Sequence, residues 1–184
     1  MKKNAPFFIF LSALALVFLA YVLLFTNVKM ESTAMEPAIA AGDYLLVWRD
    51  AYGLRLPLAG EAVRLGRPER GDIVLIAKEQ KDGNGREFEI AAVLRVVGLP
   101  GEVVSITDKR VWIDGEALAE EYVAFSDDRI YPEGLSRRDN MAAVVVPEDA
   151  FFVMGDRRDS TTDSRFFGAV DRDDIRGRVA LVYW

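Results

Sequence analysis

The strongest feature of the hydrophobic pattern is a long uncharged run near the start of the chain. Residues 7–25 are nineteen consecutive residues without a charged side chain. As a helix that rises about 1.5 Å per residue, this run is long enough to cross the hydrocarbon core of a bilayer, which is about 30 Å thick. The pattern therefore predicts a transmembrane helix over residues 7–25, between a short segment 1–6 and a domain formed by residues 26–184.

Two lysines predict the direction in which this helix crosses the membrane. Lys2 and Lys3 precede the apolar run, and positively charged flanks favour the cytoplasmic side. We therefore expect a single-pass protein with a cytoplasmic N-terminus and an extracytoplasmic main domain. A cleaved signal peptide is the alternative, but its apolar region usually has about 7–15 residues and ends at an A-x-A-like site, which is missing here.

After residue 26 the pattern changes to short apolar runs separated by turn residues. No stretch keeps a 3.6-residue period for three turns, so the domain is predicted to be mainly β, with one short helix around residues 159–164. Residues 118–142 are polar and contain Pro and Gly, which predicts a surface insertion. The predicted strands are 44–48, 73–77, 88–97, 103–107, a strand from 110 that ends at an Asp-Gly turn, 144–147, 151–154 and 178–184.

The composition excludes several kinds of chemistry. The chain has no cysteine and no histidine, which excludes disulfides and thiolate metal sites and removes the commonest general base. It carries 23 basic and 29 acidic residues, a net charge of −6. Nucleic acid is therefore not expected as a partner, because phosphate binding needs a concentrated positive surface. We expect no metal and no other cofactor.

Four motifs occur in a fixed order along the chain. They are residues 31–53, with Ser32 and a Met-x-Pro turn, then 70–74, 94–102 and 155–168. In this order they resemble the sequence boxes of bacterial type I signal peptidase, or leader peptidase, a family of membrane-anchored serine proteases that cut exported preproteins. The resemblance covers nearly the whole chain. It implies two antiparallel β-sheets behind one transmembrane helix in the bacterial plasma membrane.

The two positions that carry catalysis in this family are substituted. The family uses a Ser-Lys dyad, in which a lysine kept neutral by burial takes the proton of the serine hydroxyl. The resemblance places the serine directly before Met35 and the lysine directly before Arg95, and these positions are Ala34 and Leu94. Neither side chain can attack a carbonyl or accept a proton. We therefore predict a homologue that does not cleave, but binds signal peptides or exported preproteins, or partners an active signal peptidase.

The resemblance also assigns residues around the dyad positions. The Ser32 hydroxyl and the backbone N–H of Ala34 match the donors that stabilise an oxyanion, although an ordinary turn also explains Ser32. Thr161 matches a hydroxyl that contacts the catalytic lysine. Asp163 and Arg165 match a charge pair under the site. The site-supporting candidates are Met35, Pro37, Arg95, Asp156, Arg158, Thr161, Asp163 and Arg165.

Two further segments correspond to the strands that flank an extended substrate in the family. The small side chains of one segment leave room for small substrate side chains, but they also suit close packing within a sheet. The substrate-strand candidates are Val28, Lys29, Met30, Glu31, Ala91, Ala92 and Val93.

Three alternatives stay open at this point. The protein can be an active peptidase that uses Ser32 or Thr33, for which Lys78 is the least implausible base. It can be a structural membrane protein that has kept the β fold without a peptide site. Engineering at position 34 is a third explanation, but a simple serine knockout does not account for Leu94.

Overall fold

The computed structural model contains one long N-terminal helix followed by antiparallel strands, which confirms the predicted fold class. It describes residues 5–49, 51–55, 62–63, 66–81, 83 and 85–184. Lys2 and Lys3, on which the predicted orientation rests, lie outside these residues. The direction of membrane crossing therefore stays a prediction.

Most described elements after the first helix are strands. The helices are α1 (Ala5–Leu24) and α2 (Ser164–Phe167), and the strands are β1 (Phe25–Lys29), β2 (Tyr44–Trp48), β3 (Leu54–Arg55), β4 (Ala62–Val63), β5 (Ile73–Lys81), β6 (Glu87–Gly98), β7 (Val103–Thr107), β8 (Arg110–Ile113), β9 (Glu116–Ala117), β10 (Met141–Val145), β11 (Ala150–Met154), β12 (Val170–Asp171) and β13 (Ile175–Tyr183).

Helix α1 passes into β1 without an intervening residue. Residues Phe7–Leu24 are long and apolar enough to cross a membrane, and none of them is buried by the rest of the chain. The helix ends one residue earlier than predicted, because Phe25 pairs with Trp48 of β2 and the two rings stack at 6.5 Å. Strand β1 was not predicted, since its Phe-Thr-Asn-Val-Lys sequence follows the apolar run without a turn signal.

The larger sheet has seven strands in the order β1-β2-β13-β5-β6-β11-β12. Its central hairpin, β5 with β6, keeps a continuous register from Ile73 opposite Arg95 to Lys81 opposite Glu87. Both strands are longer than predicted because their outer residues, although charged, continue the ladder. The last strand of the chain is also longer at its start, and begins at Ile175.

A second sheet has four described strands in the order β10-β7-β8-β9, and β3 pairs with β4 in a separate two-stranded sheet. The β8-β9 turn is the predicted Asp-Gly turn, with positive φ at both Asp114 and Gly115 (51° and 85°), as a type I′ hairpin requires. The predicted strand 144–147 was wrong in its bounds, because β10 spans Met141–Val145. Pro147 has no N–H to contribute to a ladder, so the strand ends before it.

Three apolar clusters form the core. One lies between the two sheets and contains Val104, Val111 and Phe152. The other two lie on opposite faces of the larger sheet, because successive side chains of β6 point to opposite faces: Val93 belongs to one cluster and Leu94 to the other. The position of β6 between these clusters places residues 93 and 94 at the centre of the domain.

The predicted short helix was placed too early in the chain. Helix α2 begins at Ser164, and Asp163 is its N-cap, with a side chain that accepts a hydrogen bond from the backbone N–H of Arg165. Residues 159–162 are instead held by contacts with residues 126 and 127 and with the loop that precedes β2. The N-cap carboxylate decides where the helix starts.

Candidate functional site

The loop that follows β1 carries the predicted donor pair. Met35 is fully buried and anchors this loop in the apolar cluster on the β1 side of the sheet, whereas Ser32 and Thr33 are exposed. The backbone N–H of Ala34 lies 3.4 Å from the Ser32 hydroxyl oxygen, which accepts its hydrogen bond. The two donors therefore lie side by side at the surface, although their role as carbonyl ligands stays a prediction.

The same loop is attached to the segment that begins at Gly155. The carbonyl oxygen of Ala34 accepts a hydrogen bond of 2.9 Å from the backbone N–H of Arg157, and the Thr161 hydroxyl lies 3.4 Å from it. Thr161 also donates to the carbonyl oxygen of Arg157 at 2.7 Å. The guanidinium of Arg157 pairs with Glu36 at 2.7 Å. Sequence analysis did not single out Arg157 or Glu36.

Gly155 leaves no space for a side chain at this junction. A Cβ atom at this position would lie 2.3 Å from the Thr161 hydroxyl oxygen and 2.7 Å from the carbonyl oxygen of Ala34. The second contact is with backbone, which cannot rotate away. The absence of a Cβ therefore allows the loop of Ala34 to lie directly against residue 155.

We expect Gly155→Ala to lower the free energy of unfolding by about 1–3 kcal/mol, because the added methyl overpacks this junction. Gly134→Ala is the matched control, since a Cβ there would meet nothing within 4 Å. Denaturant unfolding of both variants in detergent micelles, followed by tryptophan fluorescence, compares them. Equal stability of the two variants would contradict the close packing.

Leu94, the other dyad position, is buried in apolar surroundings. Its exposed fraction is 1 %, and it packs in the cluster that contains Val74, Ile76 and Val153. Ala34 packs partly against the cluster on the opposite face of β6, next to Val93. The β6-β11 register pairs Arg95 with Met154, so Leu94 and Gly155 are the next residues along these two strands. Gly155 therefore connects the two substituted positions.

The structure brings together some of the substrate-strand candidates. Val28, Met30 and Val93 share one apolar cluster, so β1 and the loop after it approach the same region as β6. Lys29, Glu31 and Ala91 are instead exposed, and Ala92 packs against the opposite cluster.

Two strand edges next to this cluster are open within the described part of the chain. Strand β1 is at the end of the larger sheet and pairs with β2 alone. Strand β6 pairs with β5 along Glu87 to Arg95, but its register with β11 begins only at Arg95. Residues 91–93 thus have backbone groups on one side that no described strand pairs, which suits the addition of an extended peptide.

Arg95 and Asp156 form a bidentate ion pair beneath the site. The guanidinium contacts both carboxylate oxygens at 2.8 and 2.6 Å and also donates to the carbonyl oxygen of Gly71 at 2.9 Å. Its plane lies 4.1 Å from the centre of the Tyr122 ring. Burial opposes the charge on Arg95, but the hydrogen bonds to Asp156 outweigh it, so the pKa of Arg95 lies above its ordinary value. The pair connects β6 to the Gly155 segment.

A second buried pair, Asp163 with Arg165, organises the rest of this segment. Arg165 contacts both carboxylate oxygens at 2.8 Å and donates to the carbonyl oxygens of Arg158 and Arg138 at 2.6 and 2.7 Å. Asp163 also accepts from the backbone N–H of Gly155 at 3.2 Å. Both charges of this pair therefore have a partner inside the domain, where the two side chains are 1 % and 0 % exposed.

Residues 118–142 are more than the predicted surface insertion. Glu120 pairs with Arg158, whose side chain is only 2 % exposed, and Ala124 forms a parallel bridge with Arg157. Asp139 is completely buried. The sequence contained an indication of this contact. Once Asp156 and Asp163 are assigned to other arginines, a buried Arg158 needs a carboxylate from elsewhere in the chain.

The lysines of the described residues all have partners away from the donor pair. Lys78, the least implausible replacement base, donates to the backbone carbonyl oxygens of Phe167 and Ala169. The amines of Lys29, Lys81 and Lys109 contact Tyr44, Glu87 and the carbonyl oxygen of Asp127, in that order. Among these residues there is also no group of three acidic side chains that could hold a metal ion.

Comparison with known proteins assigns the chain to a family. Residues 4–184 match the family model described as signal peptidase, peptidase S26. The chain belongs to the signal peptidase family. This membership confirms the resemblance stated from the four motifs.

Several relatives in the signal peptidase family are about 30 % identical to this chain. Signal peptidase I of Pseudomonas fluorescens is 33 % identical over 185 residues, which cover 84 % of this chain and 63 % of that protein. Signal peptidase I of Bacillus licheniformis is 30 % identical and is covered to 91 %, with 100 % of this chain. For signal peptidase I of Pseudomonas aeruginosa the match spans only 54 % of the relative, so this chain corresponds to part of some longer relatives.

A solved structure in the signal peptidase family matches this chain in part. The crystal structure of a signal peptidase I from Enterococcus faecalis is 28 % identical and covers 62 % of this chain and 97 % of its own, with a TM-score of 0.42.

Proposed function

We propose that this protein is a membrane-anchored signal peptidase homologue that binds signal peptides or exported preproteins and does not cleave them. The observation that carries the proposal is the pair Ala34 and Leu94 within an intact hydrogen-bonded scaffold. A methyl group and an isobutyl group supply neither a nucleophile nor a base. Pairing with an active signal peptidase is a second way in which such a protein can act on preproteins.

The neighbouring hydroxyls do not provide a simple replacement for the dyad. Ser32 and Thr33 are exposed, but a nucleophile also needs a base within hydrogen-bond reach. Within the described residues Lys78, Lys81 and Lys109 have hydrogen-bond or ion-pair partners elsewhere, Lys29 lies over the Tyr44 ring, and the chain has no histidine. These contacts support a binding role over relocated catalysis.

The groups that can bind a peptide are present. An extended peptide between β1 and β6 would find backbone groups at residues 91–93 that no described strand pairs. It would also find an apolar contact from the partly buried Val28, next to the buried Met30 and Val93. A peptide carbonyl could accept from the Ser32 hydroxyl, whose oxygen is held by the Ala34 N–H. Strand addition supplies affinity through the backbone, and the pockets beside it supply specificity. This combination favours peptide binding over a purely structural role.

The outer face of β1, β2 and β13 supports placement of the domain against a bilayer. The register puts Phe25 opposite Trp48, and Tyr44 opposite both Lys29 and Tyr183, with Leu181 further along. Aromatic rings prefer the membrane–water interface, and this face carries no carboxylate in a chain of net charge −6. We propose that it rests on the membrane surface outside the cytoplasm. The face continues directly from α1.

Binding without cleavage is tested with the full chain in lipid nanodiscs, prepared from a host depleted of its own signal peptidase. A synthetic photoreactive signal peptide is expected to label the protein saturably, and an unlabelled copy is expected to compete. A preprotein incubated with the same sample is expected to stay intact. Ser32→Ala is expected to weaken binding about two- to tenfold, since one hydrogen bond contributes about 0.5–1.5 kcal/mol.

Each alternative predicts a different result. Labelling that does not saturate would support a purely structural protein. Preprotein cleavage that disappears in Ser32→Ala or Thr33→Ala would support a peptidase with relocated chemistry. Cleavage that persists in both variants would exclude these two nucleophiles, and would still overturn the proposal if the preparation is free of host peptidase.

A further inference from the structure

Arg157 fixes the donor loop to the Gly155 segment at two points. Its backbone N–H donates to the carbonyl oxygen of Ala34 at 2.9 Å, and its guanidinium Nη1 donates to the Glu36 carboxylate at 2.7 Å. Glu36 and Arg157 are 121 positions apart in the chain. The two contacts lie on either side of Met35, whose side chain is fully buried.

These contacts orient the two peptide groups on either side of the Ala34 Cα atom. The N–H of this group faces the Ser32 hydroxyl, while the carbonyl of Ala34 points at residue 157. A further backbone hydrogen bond, from the N–H of Glu36 to the carbonyl oxygen of Thr33, makes residues 33–36 a turn. A side chain that holds Glu36 therefore holds the whole turn and the direction of its donors.

We propose that the Glu36–Arg157 ion pair is a clasp that fixes the Ala34 N–H and, through its hydrogen bond to the Ser32 oxygen, positions the Ser32 hydroxyl to donate to a carbonyl of the bound peptide. This role rests on the proposed peptide-binding function. Arg157 is then a positioning residue, because it acts through the turn and not by contact with the peptide. Neither of its two contacts needs a catalytic side chain, so the clasp works in a protein without the dyad.

The exposure of the clasp separates it from the buried ion pairs. The side chains of Arg157 and Glu36 are 29 % and 33 % exposed, whereas those of Arg165 and Asp163 are 1 % and 0 % exposed. Partly exposed pairs contribute little to stability and are screened by salt. Loss of the clasp should therefore change peptide affinity about two- to fivefold and leave the fold intact.

Arg157→Ala tests the clasp, because it removes the guanidinium but keeps the backbone N–H bond to Ala34. The full chain in nanodiscs is titrated with the photoreactive signal peptide at low and high salt, and hydrogen exchange of the Ala34 and Glu36 amides is measured without peptide. We expect about two- to fivefold weaker binding at low salt, a smaller difference at high salt, and about two- to fivefold faster exchange of both amides.

The charge-reversed double variant, Glu36→Arg with Arg157→Glu, is expected to recover most of the affinity and of the amide protection. Lys81→Ala, which breaks an exposed pair with Glu87 on the β5-β6 hairpin, is the matched control and should change neither measurement. A general structural role for Arg157 would instead lower stability without rescue by the reversed pair.

The two readouts distinguish failure of the clasp from failure of the proposed function. If the parent does not bind the peptide, the proposed function is wrong, and the hydrogen-exchange measurement still decides whether the clasp orders the turn. If the parent binds and Arg157→Ala changes neither affinity nor exchange, the clasp is overturned. The clasp is also overturned if the charge-reversed double variant recovers neither the peptide affinity nor the amide protection.

Discussion

Replacing Asp163 with alanine is expected to lower the free energy of unfolding by about 3–5 kcal/mol, the usual cost of breaking a buried ion pair. The substitution leaves Arg165 buried without its carboxylate partner, since the two side chains are 1 % and 0 % exposed. It also removes the N-cap of α2 and the acceptor for the N–H of Gly155. The loss comes mainly from the uncompensated charge that stays behind.

The double variant Asp163→Ala with Arg165→Met is the informative comparison. Removal of both charges should recover part of the stability that Asp163→Ala loses, because no unpaired charge remains. Glu87→Gln, in a pair whose side chains are 68–69 % exposed, should change stability by less than about 0.5 kcal/mol. Denaturant unfolding in detergent micelles measures all three variants through tryptophan fluorescence.

Tryptophan fluorescence reports on the β domain in this experiment, because residues 48, 112 and 184 are the three tryptophans and all lie after α1. An Asp163→Ala variant that loses less than about 1 kcal/mol would show that Arg165 finds other partners. If the double variant is as unstable as Asp163→Ala, the lost stability comes from the N-cap of α2 and from the hydrogen bond to the N–H of Gly155.

The second large effect is expected from restoration of both dyad positions. Residues 34 and 94 pack against clusters on opposite faces of β6, so the prediction requires that the introduced lysine reach the introduced serine past Gly155. If it does, Ala34→Ser with Leu94→Lys should produce preprotein cleavage at least about 10³-fold above the parent, since loss of a nucleophile or its base typically costs this much or more. Each single substitution should stay near the parent rate, because serine alone lacks a base and lysine alone lacks a nucleophile. Cleavage of a standard preprotein, followed by gel electrophoresis, compares the four proteins.

The single variant Leu94→Lys has its own pH dependence. Position 94 is 1 % exposed among apolar side chains, so burial lowers the pKa of the introduced amine in the folded state below its unfolded value of about 10.4. The unfolded state then binds the proton more tightly than the folded state. This difference lowers the free energy of unfolding by about 4 kcal/mol at pH 7. Stability should therefore rise as the pH increases towards about 10.

Failure of the restored pair has two separable meanings. A folded double variant that binds the signal peptide but does not cleave it would mean that the two side chains do not meet across Gly155. An unfolded one would mean that the apolar cluster around Leu94 does not accept an amine. Unfolding curves at pH 7 and at pH 9.5 distinguish these two explanations, because a buried amine lowers the free energy of unfolding by less at the higher pH.

The sequence was most informative where local pattern and chemistry agree. Short apolar runs with turn residues predicted most strands, and the Asp114-Gly115 pair predicted its turn because few residues accept positive φ at both positions. The pair Asp163–Arg165 followed from the family resemblance, and it is formed. The pairing of Arg95 with Asp156 was not predicted. Loss of either partner of such a buried ion pair lowers the free energy of unfolding.

Contacts between distant, irregular segments could not be predicted in this way. Glu120 and Arg158 are 38 positions apart, and Glu36 and Arg157 are 121 apart. Charged residues in loops have no periodicity, so no local pattern distinguishes a buried partner from a solvated one. The start of β1 was missed for a related reason: Phe25 suits both the end of a membrane helix and a strand, and only its packing on Trp48 decides between them.

The direct passage from α1 into β1 sets a geometric limit on what the site can meet. With no flexible linker after Leu24, the five residues of β1 and Met30 keep the donor loop within about 20 Å of the helix end. If α1 crosses a bilayer, the protein samples only a thin layer of the space above the lipid. A client protein that is still held in the membrane by its own hydrophobic segment stays in that layer, whereas a client that has been released into bulk solution leaves it. Proximity alone would then select clients before any side chain is recognised.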